Sequence, residues 1–386
     1  MKILFVVQGE GRGHLTQAIT LKNILLRNGH EVVGVLVGKS KFREIPAFFF
    51  QQMEGVPVYP FESPNFLPAT RKKKTNIWLS TIYNLLKTPI YVRSLVFIHQ
   101  KIKASGADLA INFYEMIMGI CYLLWPPKTP YISVAHQYLL MHPDYPFPKH
   151  ENLAELKMLK FYNNITSFRS KKRFTLSIES KPDVAKKRLI ILPPLLREEV
   201  LNSQATNGDY LHGYMLNAIY ADDIIQYQQE HPELSMHFFW DKKDAPAETV
   251  INPRLSFHQL NDHLFIQYMA GCKAYATTAG FESVCEAMYL GKPVLMVPTH
   301  IEQSCNAHEA ALAGAGIVAD SFDFDKLLQF IPKYQGNKAF QEWMQTAEKQ
   351  WMEAITTNYS SNFRTLPKTN STISSIENTE ELTHKS

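Results

Sequence analysis

A glycine-rich loop near the start of the chain ends in a histidine, a combination suited to binding a ligand and moving a proton. The loop reads Gly9-Glu10-Gly11-Arg12-Gly13-His14 and follows the apolar run Ile3–Val7. Glycines allow close approach of the backbone, and the helix predicted after the loop offers free N–H groups at its start. The imidazole there can take a proton from a ligand, or it can simply cap or pack on the helix. We predict His14 as the catalytic base, with three neighbours in the same glycine-rich loop: Gly11, Arg12 and Gly13.

The same loop is similar to a dinucleotide-binding fingerprint but departs from it in two ways. His14 replaces the last glycine of the pattern, and no Asp or Glu ends the next predicted strand, Glu31–Val37. In dinucleotide-binding folds an acidic residue at that strand end holds the ribose. The sequence therefore argues against NAD as a ligand.

A second group of polar residues follows the predicted strand Ala274–Thr277. A tight turn leads from this strand into a helix predicted over Glu282–Leu290. Glu282, Ser283 and the free N–H groups of the helix start could face a diphosphate or its sugar. Glu286 lies one helical turn further on, where its carboxylate could accept both hydroxyls of a ribose.

Another polar pair follows the next predicted strand, Pro293–Val297. Glu302 and Gln303 are predicted in a loop at the same sheet edge, and Asn306 begins a helix predicted to end near Ala313. The carboxyl ends of parallel strands lie at one edge of a sheet, so these side chains would gather around one ligand. This edge combines a phosphate-facing helix start, a ribose-type carboxylate and hydrogen-bonding groups suited to a sugar.

The segment 277–307 resembles the donor-binding signature of GT-B glycosyltransferases, which include the UDP-glucuronosyl and UDP-glucosyl transferases and the bacterial transferase that makes lipid II. The family pattern is a Gly, a Glu, a Gly-x-Pro, an apolar strand ending in Pro, and an acidic-Gln pair before an Asn. The matching positions are Gly280, Glu286, Gly291, Pro293, Pro298, Glu302, Gln303 and Asn306. The resemblance implies an α/β fold of two Rossmann-like doubly wound domains that face a cleft.

The resemblance also implies a role for each matched position. The turn Gly280-Phe281-Glu282-Ser283 would hold the diphosphate, Glu286 the ribose, and the Glu302–Gln303 pair the donor sugar, with Asn306 beside them. Outside the signature, His136 and Gln137 resemble family positions at the acceptor site, which the glycine-rich loop Gly11–Gly13 would also border. Arg197 resembles a family position near the diphosphate.

Two departures from the family pattern concern the phosphate contacts. The phosphate-binding His of the plant-type signature is Thr278 here, and its Asn is Glu282. The glycine-rich loop expected after the first strand of the second domain is replaced by His212-Gly213-Tyr214. The resemblance therefore favours a UDP-sugar donor but leaves the base of the nucleotide open.

Taken together, the motifs predict a glycosyltransferase that moves a hexose or N-acetylhexosamine from a nucleotide-sugar to an acceptor hydroxyl. No DxD-type carboxylate pair is placed at a strand end, as a metal-bridged mechanism would require, so neither a metal nor another cofactor is predicted. Nucleic acid is not an expected partner. The alternatives are a nucleotide-sugar 2-epimerase on the same fold and a non-catalytic glycosyltransferase subunit.

The elements that must position these residues alternate between strand and helix, which predicts parallel sheets covered on both faces. Prolines at Leu192-Pro193-Pro194-Leu195 separate an acceptor domain (1–195) from a donor domain (196–360), and a polar tail (361–386) is predicted to be disordered. The remaining predicted strands are Asp108–Asn112, Tyr131–Ala135, Asp209–His212 and Met236–Trp240, and the remaining predicted helices are Leu15–Asn28 and Asn217–Gln229.

Charge is divided unevenly along the chain. The first 200 residues carry a net charge of +14 and the rest −10, so the first domain is predicted to face an anionic partner or simply to have a solvated basic surface. Residues 71–98 join a basic run to an amphipathic helix, which fits either peripheral membrane binding or a helix packed on the sheet. A lipid-linked acceptor and peripheral contact with the inner face of the membrane follow from the first interpretation. The apolar run Ile3–Val7 is too short for the core of a signal peptide, so the location is predicted to be cytoplasmic. The four cysteines form no CxxC pair and are predicted to be buried and free.

Overall fold

The computed structural model describes residues 1–41, 43–64, 83–149, 152–215, 218–242 and 244–357. Within these ranges the chain forms two seven-stranded sheets, each with helices on both faces. The strands of the first sheet are β1 Lys2–Gln8, β2 Glu31–Lys39, β3 Val58–Glu62, β4 Leu109–Phe113, β5 Tyr131–Ala135, β6 Arg173–Leu176 and β7 Leu189–Leu192. Those of the second are β8 Tyr210–Met215, β9 Ser235–Trp240, β10 Glu248–Asn252, β11 Leu255–Gln259, β12 Ala274–Thr277, β13 Val294–Met296 and β14 Gly316–Val318.

Helices connect most of the strands and cover both sheets. In the first half they are α1 Arg12–Arg27, α2 Ala47–Gln52, α3 Thr88–Ser105, α4 Met116–Leu124, α5 Leu153–Thr166 and α6 Glu198–Leu201. In the second half they are α7 Ala221–Glu230, α8 Asp262–Gly271, α9 Phe281–Tyr289, α10 Ile301–Leu312, α11 Phe324–Phe330, α12 Lys338–Gln345 and α13 Ala347–Thr356. Short 3-10 helices occur at His136–Met141, Ala185–Lys187, Ala218–Tyr220 and Ile331–Lys333.

The strand orders are β3-β2-β1-β4-β5-β6-β7 and β10-β11-β9-β8-β12-β13-β14. All pairings are parallel except β10 with β11. The central strands are buried on both faces, which is why β1 reads as an almost continuous apolar run. The predicted α/β fold of two Rossmann-like doubly wound domains is confirmed.

The strand order reverses once in each sheet, between β1 and β4 and between β8 and β12. Connections on the two sides of such a point leave in opposite directions, and the crevice between them is where ligands bind in open α/β sheets. The loop after β1 contains His14, and the turn after β12 contains Gly280. The topology thus brings both sequence-predicted groups to switch points.

Two predicted helix boundaries are wrong. The last helix of the donor signature begins at Ile301 rather than Asn306, because nothing after Pro298 interrupts helical backbone; Glu302 and Gln303 therefore lie in its first turn and not in a loop. The helix predicted over Asn217–Gln229 begins at Ala221, after a 3-10 turn at Ala218–Tyr220.

The last two helices return to the first domain. Trp351 of α13 donates its indole N–H to the carbonyl of Pro193 (3.0 Å), directly after β7. Trp343 of α12 donates to the carbonyl of Ser177 (3.0 Å). The domain boundary predicted at 195 lies between the two sheets, but the C-terminal helices bridge both domains.

Three other predictions concern the cysteines, the polar tail and the segment 71–98. All four cysteines are buried and free, as expected. The tail 361–386 and much of the segment 71–98 lie outside the described residues. Over the described ranges, no helix has the length and apolar character needed to cross a bilayer.

Candidate functional site

The start of α1 presents backbone N–H groups to the space between the domains. Gly11 is the residue before the helix, in extended conformation, and no side chain caps the first turn. Uncapped N–H groups and the helix dipole make such an end attractive to negative charge. The carboxylate of Glu282, from α9 of the second domain, lies against Gly13, and a Cβ atom added at Gly13 would overlap it. The predicted acceptor loop and the predicted donor turn therefore meet directly.

His14 is held from two sides. Its Nδ1 lies 3.2 Å from Oε1 of Gln17, one turn later in α1, and the Nε2 of Gln17 donates to Oε1 of Glu282. The ring of Tyr114 lies 5.4 Å from the imidazole, measured between centroids. His14 is buried, with 8% of its surface exposed.

Tyr114 has a left-handed backbone conformation, with φ of 61°, at the turn after β4. A bulky residue rarely adopts this conformation, and it is found most often at functional sites. Its hydroxyl donates to Oδ1 of Asn163 (2.5 Å), which fixes the ring beside His14. Neither Tyr114 nor Gln17 was predicted from the sequence; the spacing of Gln17 from His14, three residues on one helix, was the available signal.

The turn before α9 is the second uncapped helix start of the site. Ala279 is left-handed (φ 61°), Gly280 precedes the helix, and no side chain caps the first turn. Ser283 donates its hydroxyl back to the carbonyl of Gly280 (3.2 Å). Phe281, predicted to help hold the diphosphate, is buried and stacks on the ring of His136 at 3.7 Å. This turn can therefore bind a ligand through its backbone N–H groups and not through the Phe281 side chain.

Glu286 and Arg197 form a buried bidentate ion pair. Nε and Nη2 of Arg197 donate to the two carboxylate oxygens at 2.6 and 2.7 Å, and Glu286 is 2% exposed. Burial alone would lower the pKa of Arg197, but Glu286 raises it, and Asp262 at 3.3 Å adds to this. Burial raises the pKa of Glu286, and Arg197 opposes that shift. Both residues were named from the sequence, but their pairing was not.

Asp262 extends the pair toward the first domain. Its Oδ1 lies 3.3 Å from Nη1 of Arg197 and 3.7 Å from Nη1 of Arg12 in the glycine-rich loop. Two arginines, one from each side of the domain boundary, thus share one carboxylate. This chain of charges connects the glycine-rich loop of the first domain to Glu286 of α9.

The three predicted residues of α10 each have a defined contact. Gln137 of the first domain donates to Oε1 of Glu302 (2.8 Å), so this acceptor-side residue and this donor-side residue meet. Gln303 accepts from the backbone N–H of Thr299 (2.9 Å) and orders the loop before the helix. Asn306 donates to the carbonyl of Ala279 (3.4 Å), which ties α10 to the turn before α9.

His136 also forms a buried contact with Glu309 of the second domain. Its Nδ1 donates to the carbonyl of Leu176 (2.9 Å), so Nε2 faces Oε2 of Glu309 in α10 at 3.3 Å. Both side chains are 4% exposed, and apart from His136 the described residues supply no hydrogen-bond donor to the Glu309 oxygens. Burial alone would lower the pKa of His136, but Glu309 outweighs it and the pKa is raised. The His136–Glu309 contact therefore stabilises the folded state fully below pH about 6.5, the pKa of His in the unfolded chain. This stabilisation is lost as pH rises through the higher pKa of His136 in the folded state.

The structure thus brings predicted residues together across the domain boundary at His136 and Phe281, which stack, and in three further places. Each place pairs residues of the first domain, or of the segment that leads from it, with residues of the second. No cluster of three or more His, Cys, Asp and Glu side chains suited to a metal ion occurs in the described parts of the chain. The pairs and groups are His14, Gln17 and Glu282; Gln137 and Glu302; and Arg12, Asp262, Arg197 and Glu286.

A family model described as glycosyl transferase family 1 matches residues 1–334. The chain belongs to glycosyl transferase family 1. This match and the GT-B architecture make it a glycosyltransferase, as the donor signature predicted. A search of curated proteins found no match.

Solved structures similar to this glycosyltransferase share its fold at low identity. The spinosyn forosaminyltransferase SpnP is 12% identical, with 92% of this chain and 98% of that chain covered and a TM-score of 0.57. LpCGTa in complex with UDP is 13% identical, with 93% and 96% covered and a TM-score of 0.55. The UDP-GlcNAc 2-epimerase from Neisseria meningitidis bound to UDP-GlcNAc is 13% identical, with 93% and 100% covered and a TM-score of 0.54. At these identities the similarity establishes the GT-B fold.

Proposed function

We infer that this glycosyltransferase moves a hexose or N-acetylhexosamine from a UDP-sugar to an acceptor hydroxyl, with His14 as the base and without a metal. One observation carries the proposal. Gln17 contacts His14 in the first domain and donates a hydrogen bond to Glu282 in the first turn of α9, so His14 lies close to the uncapped start of that helix. Acceptor activation and leaving-group stabilisation therefore have their groups side by side.

The donor would bind along the edge formed by α9. The diphosphate would lie at the backbone N–H groups after Gly280, where the helix dipole favours an anion. Arg197 now holds both oxygens of Glu286. If its guanidinium turned toward the diphosphate, the carboxylate would become available to the two ribose hydroxyls. Glu302 and Gln303, in the first turn of α10, would contact the sugar.

The transfer step would break the bond between the sugar C1 and the diphosphate oxygen as the acceptor oxygen bonds to C1. The imidazole of His14 would take the acceptor hydroxyl proton, and the diphosphate would leave with the bonding electron pair. The developing negative charge would be stabilised by the helix start and by Arg197, which supports a reaction without metal. His136 and Gln137, with the loop Gly11–Gly13, would border the acceptor.

Nucleoside diphosphates test the donor half of this proposal. We expect UDP, UDP-glucose and UDP-GlcNAc to raise the melting temperature, because a ligand present at a hundred times its Kd stabilises the folded state by about 2.7 kcal/mol. A thermal-shift series would include thymidine and guanosine diphosphates, with NAD as the control that should have no effect. A shift with NAD alone, or with none of these nucleotides, would contradict the proposal.

The 2-epimerase remains the alternative because that enzyme shares the fold. The two functions differ in what happens to a nucleotide-sugar without an acceptor. A transferase leaves the C2 configuration unchanged, whereas an epimerase inverts it. Incubating the protein with UDP-GlcNAc alone and following the sugar by proton NMR would distinguish them.

The acceptor is proposed to be lipid-linked and to be met at the inner face of an anionic membrane. Exposed apolar side chains lie just before α3, at Val92 within it and at the end of α4, where Trp125 stacks on His99 of α3 at 3.6 Å. The surrounding first domain is basic, since the first 200 residues carry a net charge of +14. Apolar groups and positive charge together favour binding to anionic lipid. The exposed side chains are Leu85, Leu86, Val92, Leu124 and Trp125.

Replacing Leu86 and Leu124 by Asp should reduce binding to phosphatidylglycerol vesicles at least fivefold, because each loses its apolar surface and adds a repelled charge. Co-sedimentation measures the bound fraction. Leu312→Asp is the matched control, since Leu312 is 61% exposed on α10 of the other domain. Equal binding by both variants, or no binding by the unchanged protein, would rule out this surface.

A further inference from the structure

Gln17 is the side chain that connects His14 to the donor domain. It is 1% exposed and lies between the imidazole and α9. Its Oε1 is 3.2 Å from Nδ1 of His14, and its Nε2 donates to Oε1 of Glu282. A buried amide that contacts a candidate base on one side and a carboxylate of another domain on the other can influence how the base is oriented.

The direction of these hydrogen bonds is determined at the Glu282 end. An ionised carboxylate only accepts, so the NH₂ group of the Gln17 amide must face Glu282 and its oxygen must face His14. An amide oxygen also only accepts, so the hydrogen must be on Nδ1 of His14. The neutral ring then has its free lone pair on Nε2, the nitrogen that faces away from Gln17.

We propose that Gln17 is a positioning residue that sets the tautomer and orientation of His14, and that it does so through Glu282. This rests on the proposed function insofar as His14 is the base that accepts the acceptor proton at Nε2. Tyr114, whose ring lies 5.4 Å from the imidazole, limits rotation of the ring from another side.

The contact also makes the base depend on the donor domain. Without Glu282 the Gln17 amide can turn over and present its NH₂ group to Nδ1. The hydrogen of the ring then moves to Nε2, and that nitrogen can no longer accept a proton. His14 is therefore ready to act only when α9 lies against α1, which occurs when the two domains are in contact at Gly13 and Glu282.

The tautomer can be measured without any ligand. In protein labelled with ¹⁵N-histidine, long-range proton–nitrogen correlation distinguishes a protonated ring nitrogen from an unprotonated one, and His14→Asn assigns the signal. We expect Nδ1 protonated and Nε2 unprotonated in the unchanged protein. Gln17→Leu and Glu282→Leu should each move the population toward the Nε2-protonated form. Gln341→Leu removes an amide bond to the carbonyl of Tyr289 away from the cleft and should leave the signal unchanged.

Kinetics give a second, separable measurement, with release of UDP from UDP-GlcNAc as the probe reaction. Gln17→Leu should lower kcat roughly 10–1000-fold, less than the about 10⁴-fold found when a catalytic His is held in the wrong tautomer, with KM for the donor nearly unchanged. Gln17→Glu, combined with Glu282→Gln so that two carboxylates do not face each other, should stabilise the imidazolium and move the acidic limb of the pH profile to higher pH, because a carboxylate favours the charged ring.

The outcomes separate the two proposals. If none of the nucleotides raises the melting temperature, the proposed function fails while the tautomer measurement still tests Gln17. If Gln17→Leu folds and leaves the His14 tautomer unchanged, the positioning role is overturned even though transfer occurs. A loss of kcat in Gln17→Leu with an unchanged pH profile in the double variant would also overturn it, since packing alone would then explain the loss.

Discussion

Replacing His14 by Ala should lower the rate of sugar transfer about 10²–10⁴-fold and leave UDP binding unchanged. This range is the usual contribution of a positioned general base, and the imidazole is the group that lies at the start of α1 between the two domains. The contacts proposed for UDP come from the start of α9, from Glu286 and from Arg197, and do not include His14. UDP release with acceptor present measures the rate, and calorimetry measures the affinity.

The control is His30→Ala, which removes an imidazole shortly after the far end of the same helix. It should change neither quantity by more than about twofold. An unchanged transfer rate in His14→Ala would remove His14 from the mechanism. A loss of UDP affinity equal to the loss of rate would instead assign His14 to donor binding.

Replacing Glu286 by Ala should have two large effects. It leaves the Arg197 guanidinium buried without its bidentate partner, and breaking a buried ion pair costs about 3–5 kcal/mol of the free energy of unfolding. Asp262, 3.3 Å from the same guanidinium, should keep the loss near the lower end. The variant should also bind UDP more weakly, because the proposed ribose ligand is gone. Urea unfolding and calorimetry measure the two effects.

A double variant separates folding from binding. Arg197→Met with Glu286→Leu removes both charges and fills a similar volume, so it should recover much of the stability while UDP binding stays weak. Glu348→Ala, which breaks an exposed ion pair with Arg27, is the control and should cost less than about 1 kcal/mol. Equal UDP affinity in Glu286→Ala would refute the ribose role. Recovery of both properties in the double variant would make the pair purely structural.

The sequence was sufficient for the central strands and for the turns that follow them. β1 and β12 are apolar runs followed at once by glycine-containing turns, so local pattern identified both strand and helix start. The edge strand β10 was not predicted. Two of its five residues are apolar and none is buried, with Val250 63% exposed, because an antiparallel edge strand does not need two buried faces.

Contacts across the domain boundary could not be predicted. Gln17 and Glu282 are 265 residues apart, and Gln137 and Glu302 are 165 apart. Each of these side chains has an ordinary local environment, and only the relative placement of two sheets brings them together. The prediction that Glu302 lies in a loop was wrong for a local reason. The residues after Pro298 are compatible with both loop and helix, and packing of α10 favours the helix.

The buried His136–Glu309 contact would make any separation of the two domains depend on pH. If the domains separate, water reaches both side chains and the imidazole returns toward its ordinary pKa near 6.5. Between that pH and the raised value in the closed form, each separation releases a proton and each closure takes one up. Alkaline conditions therefore favour the separated arrangement, and a weakly buffered solution would record every opening as a change in hydrogen-ion concentration.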